Sequence, residues 1–378
     1  MRVAVIEPVG GHGGMDYYDD GLCAALADRG VDVTLHTCAA NGIFRQEKYP
    51  VKRSYGKTFA SSGKLVQVTR YLSGTLKALL SATRSGARVV HFHLFNVGPL
   101  EVFNVLCAKA MGRRVILTIH DVESFASTGK RVFDPRLVYN LADGIIVHNK
   151  VSADELADTL GIRRDRLSII PHGHYLHALG EVPTKQEARK SLALDHDAKV
   201  LLFFGQIKEV KGLDILLRAF AEIVKKYPNV RLIIAGRPWK TEFVNYQNLI
   251  DELDVDKYCV KEIRYIENEE VANFFKASDA VILPYKKIYQ SGVLLHAMSF
   301  GCPVIASAIP GMQEIIDDEH NGLLFKSSDP MALARVMENF LDAPELAKTI
   351  ANNATSQLLT RYSWEAIAEQ TERVYRGS

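Results

Sequence analysis

The sequence predicts an α/β protein built from two open parallel sheets, each wound with helices. Short β-branched runs alternate with helical patterns from the first residues onward, which reads as repeated βα units. At 378 residues the chain exceeds what one hydrophobic core usually serves, so two domains of roughly 150–200 residues are expected. After Pro171 the pattern breaks into a polar stretch with His and Gly up to about Lys185, and a second strand and helix series follows. The linker belongs in that break.

In the first series, residues 2–7, 32–37, 88–93, 114–120, 144–148 and 168–171 read as strands, and 16–29, 64–82, 99–111 and 151–160 as helices. In the second, the strands are 199–204, 230–235, 280–283 and 303–306, and the helices 213–226, 269–277 and 292–300. The expected domains are 1–180 and 181–360, with a terminal helix in 361–378 packing back on the first domain. In such folds the loops at the carboxyl ends of the strands carry function.

A composition of 47% hydrophobic and 24% charged residues is that of an ordinary globular protein and excludes disordered or collagen-like chains. The apolar run at 3–6 is cut by Glu7, too short for a signal peptide or a bilayer span, so neither is expected. Cys23, Cys38, Cys107, Cys259 and Cys302 are scattered and never form a Cys-x-x-Cys pair, which argues against disulfides or zinc and fits a reducing cytoplasm. A net charge of +2 gives no reason to expect nucleic-acid binding.

The charge is unevenly spread. From residue 45 to 88, Arg45, Lys48, Lys52, Arg53, Lys57, Lys64, Arg70, Lys77, Arg84 and Arg88 face one acid, Glu47, a surplus of nine. Within this segment Leu65, Val68, Leu72, Leu76 and Leu79 recur at helical spacing, and burial against the sheet is expected for most of that face. The basic rim reads as a docking surface for an anionic membrane, with a solvated face or a soluble anionic acceptor as alternatives.

Three segments carry candidate chemistry. The first strand runs into Gly10-Gly11-His12-Gly13-Gly14, whose backbone lets a sugar or phosphate approach closely, or simply makes a tight turn. A dinucleotide fingerprint fails there, because its last glycine falls on Asp16. Gly205-Gln206-Ile207-Lys208-Glu209-Val210-Lys211-Gly212 puts two lysines on a glycine-bounded loop, where a diphosphate would suit them. Gln290-Ser291-Gly292-Val293 opens a helix that ends at Gly301, and the amides of its first turn suit an anion, although capping alone would explain the turn. His91 and His93 share a strand face, but no third metal ligand is evident. His172 and His174 read as residues that order a loop.

With Thr118-Ile119-His120-Asp121, Ile170-Pro171-His172-Gly173-His174, Asn321-Gly322 and Tyr362-Ser363-Trp364-Glu365, these segments resemble glycosyltransferase family 4 along nearly the whole chain. Within that retaining family, the chain resembles the bacterial exopolysaccharide and lipopolysaccharide type. The resemblance implies the GT-B fold, two facing Rossmann-like domains with parallel sheets, the first for the acceptor and the second for the donor. It implies transfer of a hexose from a nucleoside-diphosphate sugar to a glycan or lipid-linked acceptor, without cofactor or metal. A cytoplasmic enzyme, peripheral on the inner face of the plasma membrane, follows from that acceptor and the basic segment.

By position, Lys211 matches the lysine on the donor diphosphate, with Gln206 in place of the usual arginine and Lys208 as substitute charge. Ser291, Gly292 and Val293 match the turn that holds the donor sugar and phosphate. His120 matches the histidine of the reaction centre, and Gly13 and Gly14 the loop beside the donor. The family's two glutamates fall on Ile288 and His296, where His296 keeps a hydrogen bond for the ribose and Gln290 or Ser291 serves the sugar. That departure keeps a second reading open, a catalytically weak or inactive GT-B-like binding or partner subunit.

Overall fold

The computed structural model describes residues 1–10, 15–38, 44–56, 63–120, 134–178 and 180–377. The chain divides into two compact units, Met1–Gly173 with Arg361–Ser378, and His174–Thr360. The first unit ends at Gly173, earlier than the boundary expected at 180, because His174 and Tyr175 already belong to the second. Tyr175 N donates to Ser299 Oγ at 3.2 Å.

In the first unit, strands β1 (Arg2–Ile6), β2 (Asp32–Cys38), β3 (Val51–Gly56), β4 (Val89–Leu94), β5 (Arg114–Ile119), β6 (Gly144–Val147) and β7 (Leu167–Ile169) form one parallel sheet. Its order is β3-β2-β1-β4-β5-β6-β7. Helices α1 (Met15–Asp28), α2 (Lys64–Arg84), α3 (Pro99–Ala110), α4 (Arg136–Leu141) and α5 (Lys150–Leu160) connect them. In the second unit, β8 (Lys199–Phe204), β9 (Val230–Ala235), β10 (Cys259–Glu262), β11 (Ala280–Leu283), β12 (Val304–Ser307) and β13 (Leu323–Phe325) are ordered β10-β9-β8-β11-β12-β13, again parallel. Its helices are α6 (Lys185–Ser191), α7 (Leu213–Lys226), α8 (Val244–Glu252), α9 (Asn268–Ala277), α10 (Gly292–Ser299), α11 (Pro310–Gln313), α12 (Pro330–Asp342) and α13 (Pro344–Arg361). The last helix, α14 (Trp364–Arg376), lies in the first unit.

Both sheets carry the Rossmann strand order, in which the progression reverses beside the first strand. The switch points lie between β1 and β4 and between β8 and β11, and ligands of such sheets bind at the carboxyl ends of the strands there. Strands buried on both faces read as unbroken apolar runs, as in residues 200–203 of β8 and Ala280–Leu283. β3, β10 and β13 are edge strands that the sequence reading did not distinguish. β10 and β13 are short, and lysine or arginine interrupts the apolar pattern of β3 and β10.

α14 is held through Trp364. A Cβ on Gly21 of α1 would stand 2.2 Å from its indole and one on Gly173 2.3 Å, so the ring sits where only glycine leaves space. Trp364, Ile367 and Tyr375 thereby join the core of Val5, Leu22, Ile116 and Ile146.

α2 departs from the expectation. Its buried stripe is Tyr71, Gly74, Thr75, Ala78, Leu79 and Ala82. Of the predicted apolar face, Leu79 is buried, whereas Leu65 (77%), Val68 (38%) and Leu76 (40%) are exposed. The small residues explain the rotation, since they let α2 approach β3 closely: a Cβ on Gly74 would strike the Tyr55 ring at 2.5 Å. The contact is sealed by a buried chain from Tyr55 Oη to Thr75 Oγ1 (3.0 Å), Asn104 Oδ1 (2.7 Å) and Tyr71 Oη (2.7 Å from Asn104 Nδ2). The basic surplus is also smaller than the segment suggests, because Arg45 pairs with Asp20 at 2.7 Å and Lys48 with Asp28 at 2.8 Å, both from α1.

Candidate active site

In the second unit the loop after β8 is shaped by glycine. Gly205 (φ 98°) is followed by exposed Gln206 and by a turn in which Lys208 Nζ lies 5.9 Å from the Trp239 ring. Gly212 adopts φ 66°, and a Cβ there would meet Pro284 O at 2.0 Å, so only glycine lets α7 start where it does. The turn returns Lys211 toward Gly205. A Cβ on Gly205 would lie 3.2 Å from Lys211 Nζ and 3.3 Å from Val293 Cγ2, so the ammonium and the first turn of α10 meet over bare backbone. Lys211 Nζ also lies 5.1 Å from the ring of buried Tyr285, and it forms no ion pair among the described residues.

Ser291 caps α10, its Oγ accepting from Leu294 N at 3.2 Å. The amides of Gly292 and Val293 stay outside the helical ladder and carry the positive end of the dipole. Tyr175, buried and absent from the sequence-predicted set, lies beside them: a Cβ on Gly292 would stand 3.2 Å from its hydroxyl. Its ring stacks on His296 at 3.8 Å and 10°. His296 is also stacked toward Phe300 (6.3 Å) and Phe275 (6.0 Å), and burial lowers its pKa to about 4. It is a neutral imidazole held among rings, with a buried Nδ1 that has no hydrogen-bond partner among the described residues.

A separate cleft of roughly 500 Å³ in this unit, lined by Lys185, Arg189, Lys276 and Asp279, lies at the opposite, amino-terminal ends of β8, β11 and β12. Arg189 is committed there to Ala277 O and Asp279, so the cleft stands apart from the chemistry of the β8 and α10 loops.

In the first unit the carboxyl ends of the strands bring His93, His120, His148 and His172 around Tyr18 of α1, with ring centroids 4.8–5.4 Å from its ring. His93 Nδ1 lies 2.9 Å from Asp19 Oδ1 and 4.0 Å from Glu7 Oε2. Burial lifts Asp19 well above the usual carboxylate range and lowers His93 to about 4, so the pair is neutral. Burial, with the nearby Asp19, also raises Glu7 to about 8. His91 engages Tyr375 Oη and Thr118 Oγ1 at 2.7 Å each, which leaves neither ring nitrogen for a metal shared with His93. Among the described residues no group of three or more His, Cys, Asp or Glu is placed to hold a metal ion.

His120 stands at the end of β5, its N bonded to Leu94 O at 2.9 Å and its ring stacked on Phe95 at 4.8 Å and 16°. His148 Nε2 lies 3.1 Å from His120 Nδ1. His120 Nε2 is buried without a hydrogen-bond partner among the described residues. Of the loop histidines, His172 Nδ1 bonds Gly173 O at 2.7 Å and His174 Nδ1 accepts from Leu176 N at 3.3 Å. Gly13 and Gly14 lie outside the described residues.

Residues 12–176 match the family model described as Glycosyltransferase Family 4, and residues 184–357 the model described as Glycosyl transferases group 1. The chain is a family 4 glycosyltransferase. This family 4 glycosyltransferase is 26% identical over 395 residues to D-inositol 3-phosphate glycosyltransferase 2 of Catenulispora acidiphila, 98% of this chain and 91% of that one. Sucrose-phosphate synthase from Thermosynechococcus elongatus shares its fold at a TM-score of 0.78 and 22% identity, over 100% of this chain and 98% of that one. The Anabaena protein HepE, solved in complex with UDP-glucose, does so at 0.77 and 19% identity over 100% of both chains. The fold is GT-B, with two Rossmann-like parallel-sheet domains.

Within this glycosyltransferase the structure brings together Lys211, Gly205, Gly292 and Val293, and sets His296 in an aromatic stack under Tyr175. Glu7, Tyr18, Asp19 and His148 were missed from the sequence. The available signal was a histidine within three residues of the end of each of β4 to β7.

Proposed function

We propose that this glycosyltransferase is a retaining hexosyltransferase, moving a hexose from a nucleoside-diphosphate sugar to a hydroxyl of a glycan or lipid-linked saccharide. The observation that carries the reading is the meeting of Lys211 Nζ, Gly205 and Val293 at the start of α10. A fixed cation, amides outside the helical ladder and backbone stripped of side chain suit a diphosphate. HepE, of the same fold, is solved with UDP-glucose.

Lys211, Lys208 and the amides of Gly292 and Val293 would neutralise charge developing on the diphosphate as its bond to the anomeric carbon breaks. Gln206, Gln290, Ser291 and His296 offer polar contacts to the donor, Gly13 and Gly14 backbone beside it, and His120 acts at the reaction centre. The leaving phosphate takes the acceptor proton, and because those lysines and amides neutralise the diphosphate, the scheme needs no metal. Ile288 and His296 in place of the family's two glutamates favour a second reading, a GT-B-like subunit that has lost turnover. The test is incubation with a panel of nucleotide sugars, with and without EDTA, measuring released nucleoside diphosphate. Release unaffected by EDTA is expected, while binding without release on every donor would establish the second reading.

We further propose that a lipid-linked acceptor is presented at an anionic inner membrane leaflet. On α2, exposed Leu65, Val66, Leu76 and Leu80 stand beside Arg70, Lys77 and Arg84, which recur every seven residues, and Leu106 of α3 is also exposed. Apolar residues that enter the headgroup boundary beside basic ones fit a bilayer surface.

A further inference from the structure

The chain of contacts from Ile170 to His120 has only one consistent direction. Ile170 O accepts and cannot donate, so His148 Nδ1–H donates to it at 3.0 Å. Burial lowers His148 to about 4, which keeps it neutral, and a neutral imidazole with its proton on Nδ1 carries a lone pair on Nε2. That lone pair lies 3.1 Å from His120 Nδ1, which therefore carries a proton and donates. His120 is itself neutral, held well below its ordinary pKa by burial and by His148, His93, His172 and His91. Its Nε2 is then bare, and this is the atom buried without a partner among the described residues. Buried acceptors without partners are uncommon and call for a cause.

We propose that His148 is a positioning residue that imposes the Nδ1–H tautomer on His120, so that His120 Nε2 is a standing acceptor for a hydroxyl of the donor sugar or the acceptor. The proposal rests on the reading of His120 as the reaction-centre histidine. Other contacts hold the ring but leave its proton undecided: Phe95 stacks on it and Tyr18 meets it edge-on at 5.0 Å. Nor does His91 supply such a direction, since both its partners are hydroxyls that donate or accept.

The experiment is a long-range proton–nitrogen correlation spectrum of the full chain with ring-nitrogen-labelled histidine at neutral pH, the His120 signals assigned by difference from His120→Gln. The expected pattern is a protonated Nδ1 and a bare Nε2. In His148→Phe the pattern should lose its Nδ1–H form, and kcat should fall roughly tenfold, the worth of one hydrogen bond, with the donor KM little changed. His148→Gln, whose amide oxygen reaches the same place, should recover part of both. A wild-type His120 protonated on Nε2 overturns the proposal without need of any variant, as does an unchanged pattern in a folded His148→Phe. The spectrum reads the relay whether or not sugar is transferred: the expected tautomer with no turnover on any donor sinks the transferase reading, and turnover with the opposite tautomer sinks the relay.

Discussion

Tyr175 lies flat on His296, their ring centroids 3.8 Å apart and their planes 10° from parallel, and its hydroxyl comes beside Gly292. The stack makes His296 a packing residue as well as a candidate ribose contact, and two substitutions separate these roles. His296→Phe keeps the ring and should hold the melting temperature near wild type while raising the donor KM. His296→Ala should lower the melting temperature as well, since an aromatic pair is worth about 0.5–1.5 kcal/mol beyond its buried area. A donor KM unchanged in His296→Phe would remove His296 from the ribose.

Lys211→Ala should lower kcat/KM by roughly 10–100-fold, because a charge-assisted contact contributes about 1.5–3 kcal/mol and each 1.4 kcal/mol is tenfold. Nucleoside diphosphate should raise the melting temperature of the wild type and much less that of the variant. Gly205→Ala should also be impaired, since φ 98° disfavours a side chain and the new Cβ would press Lys211 Nζ at 3.2 Å. Full activity in Lys211→Ala would take the lysine out of the donor site.

For α2, vesicle co-sedimentation should rise with anionic-lipid content and fall with salt. Replacing Lys64, Arg70, Lys77 and Arg84 by Ser should abolish the dependence on lipid charge, and Leu65→Ser with Leu76→Ser should weaken binding at every composition. Sedimentation indifferent to lipid charge, or to both sets of changes, would return this helix to ordinary solvated surface.

Stability should fall as pH drops from 6.5 toward 4. His93 and His148 are lowered from 6.5 to about 4 in the folded chain, chiefly by burial, so between those values the unfolded chain binds protons that the folded one refuses. Their contribution is complete above 6.5 and lost as pH falls through 4. Glu7, raised to about 8, works in the other direction and loses its contribution as pH rises toward 8. Denaturant midpoints measured across this range should therefore peak near neutrality. A midpoint that is flat down to pH 4 would mean that these histidines are charged or hydrated in the folded state.

Much of the frame was legible. The β-branched runs at 2–7, 88–93, 199–204 and 230–235 become strands within a residue at either end, because apolar side chains dominate strands buried on both faces. The Gly205 to Gly212 loop and the Ser291 turn were legible for the same kind of local reason: positive φ favours glycine and a helix start favours serine. β3 was hidden, since an edge strand with one side toward solvent tolerates Lys52 and Arg53. The exposed leucines of α2 were misassigned because periodicity names a face without saying which face packs, and Gly74 decided that.

What the sequence determined by itself is therefore what local chemistry encodes: alternating strands and helices in two series, glycine where the backbone must turn or lie bare, and the family motifs in their order. Tertiary structure alone decided which distant groups meet. Lys211 finds Val293 across the fold of the second sheet, Trp364 finds Gly21 and Gly173, and His120 finds His148 from a neighbouring strand. The physical reason is that a side chain's partners, and with them its protonation and tautomer, are set by burial among residues far away in sequence. In water His93, His120 and His148 would titrate alike; enclosed around Tyr18, they are held neutral, and His120 is given one direction.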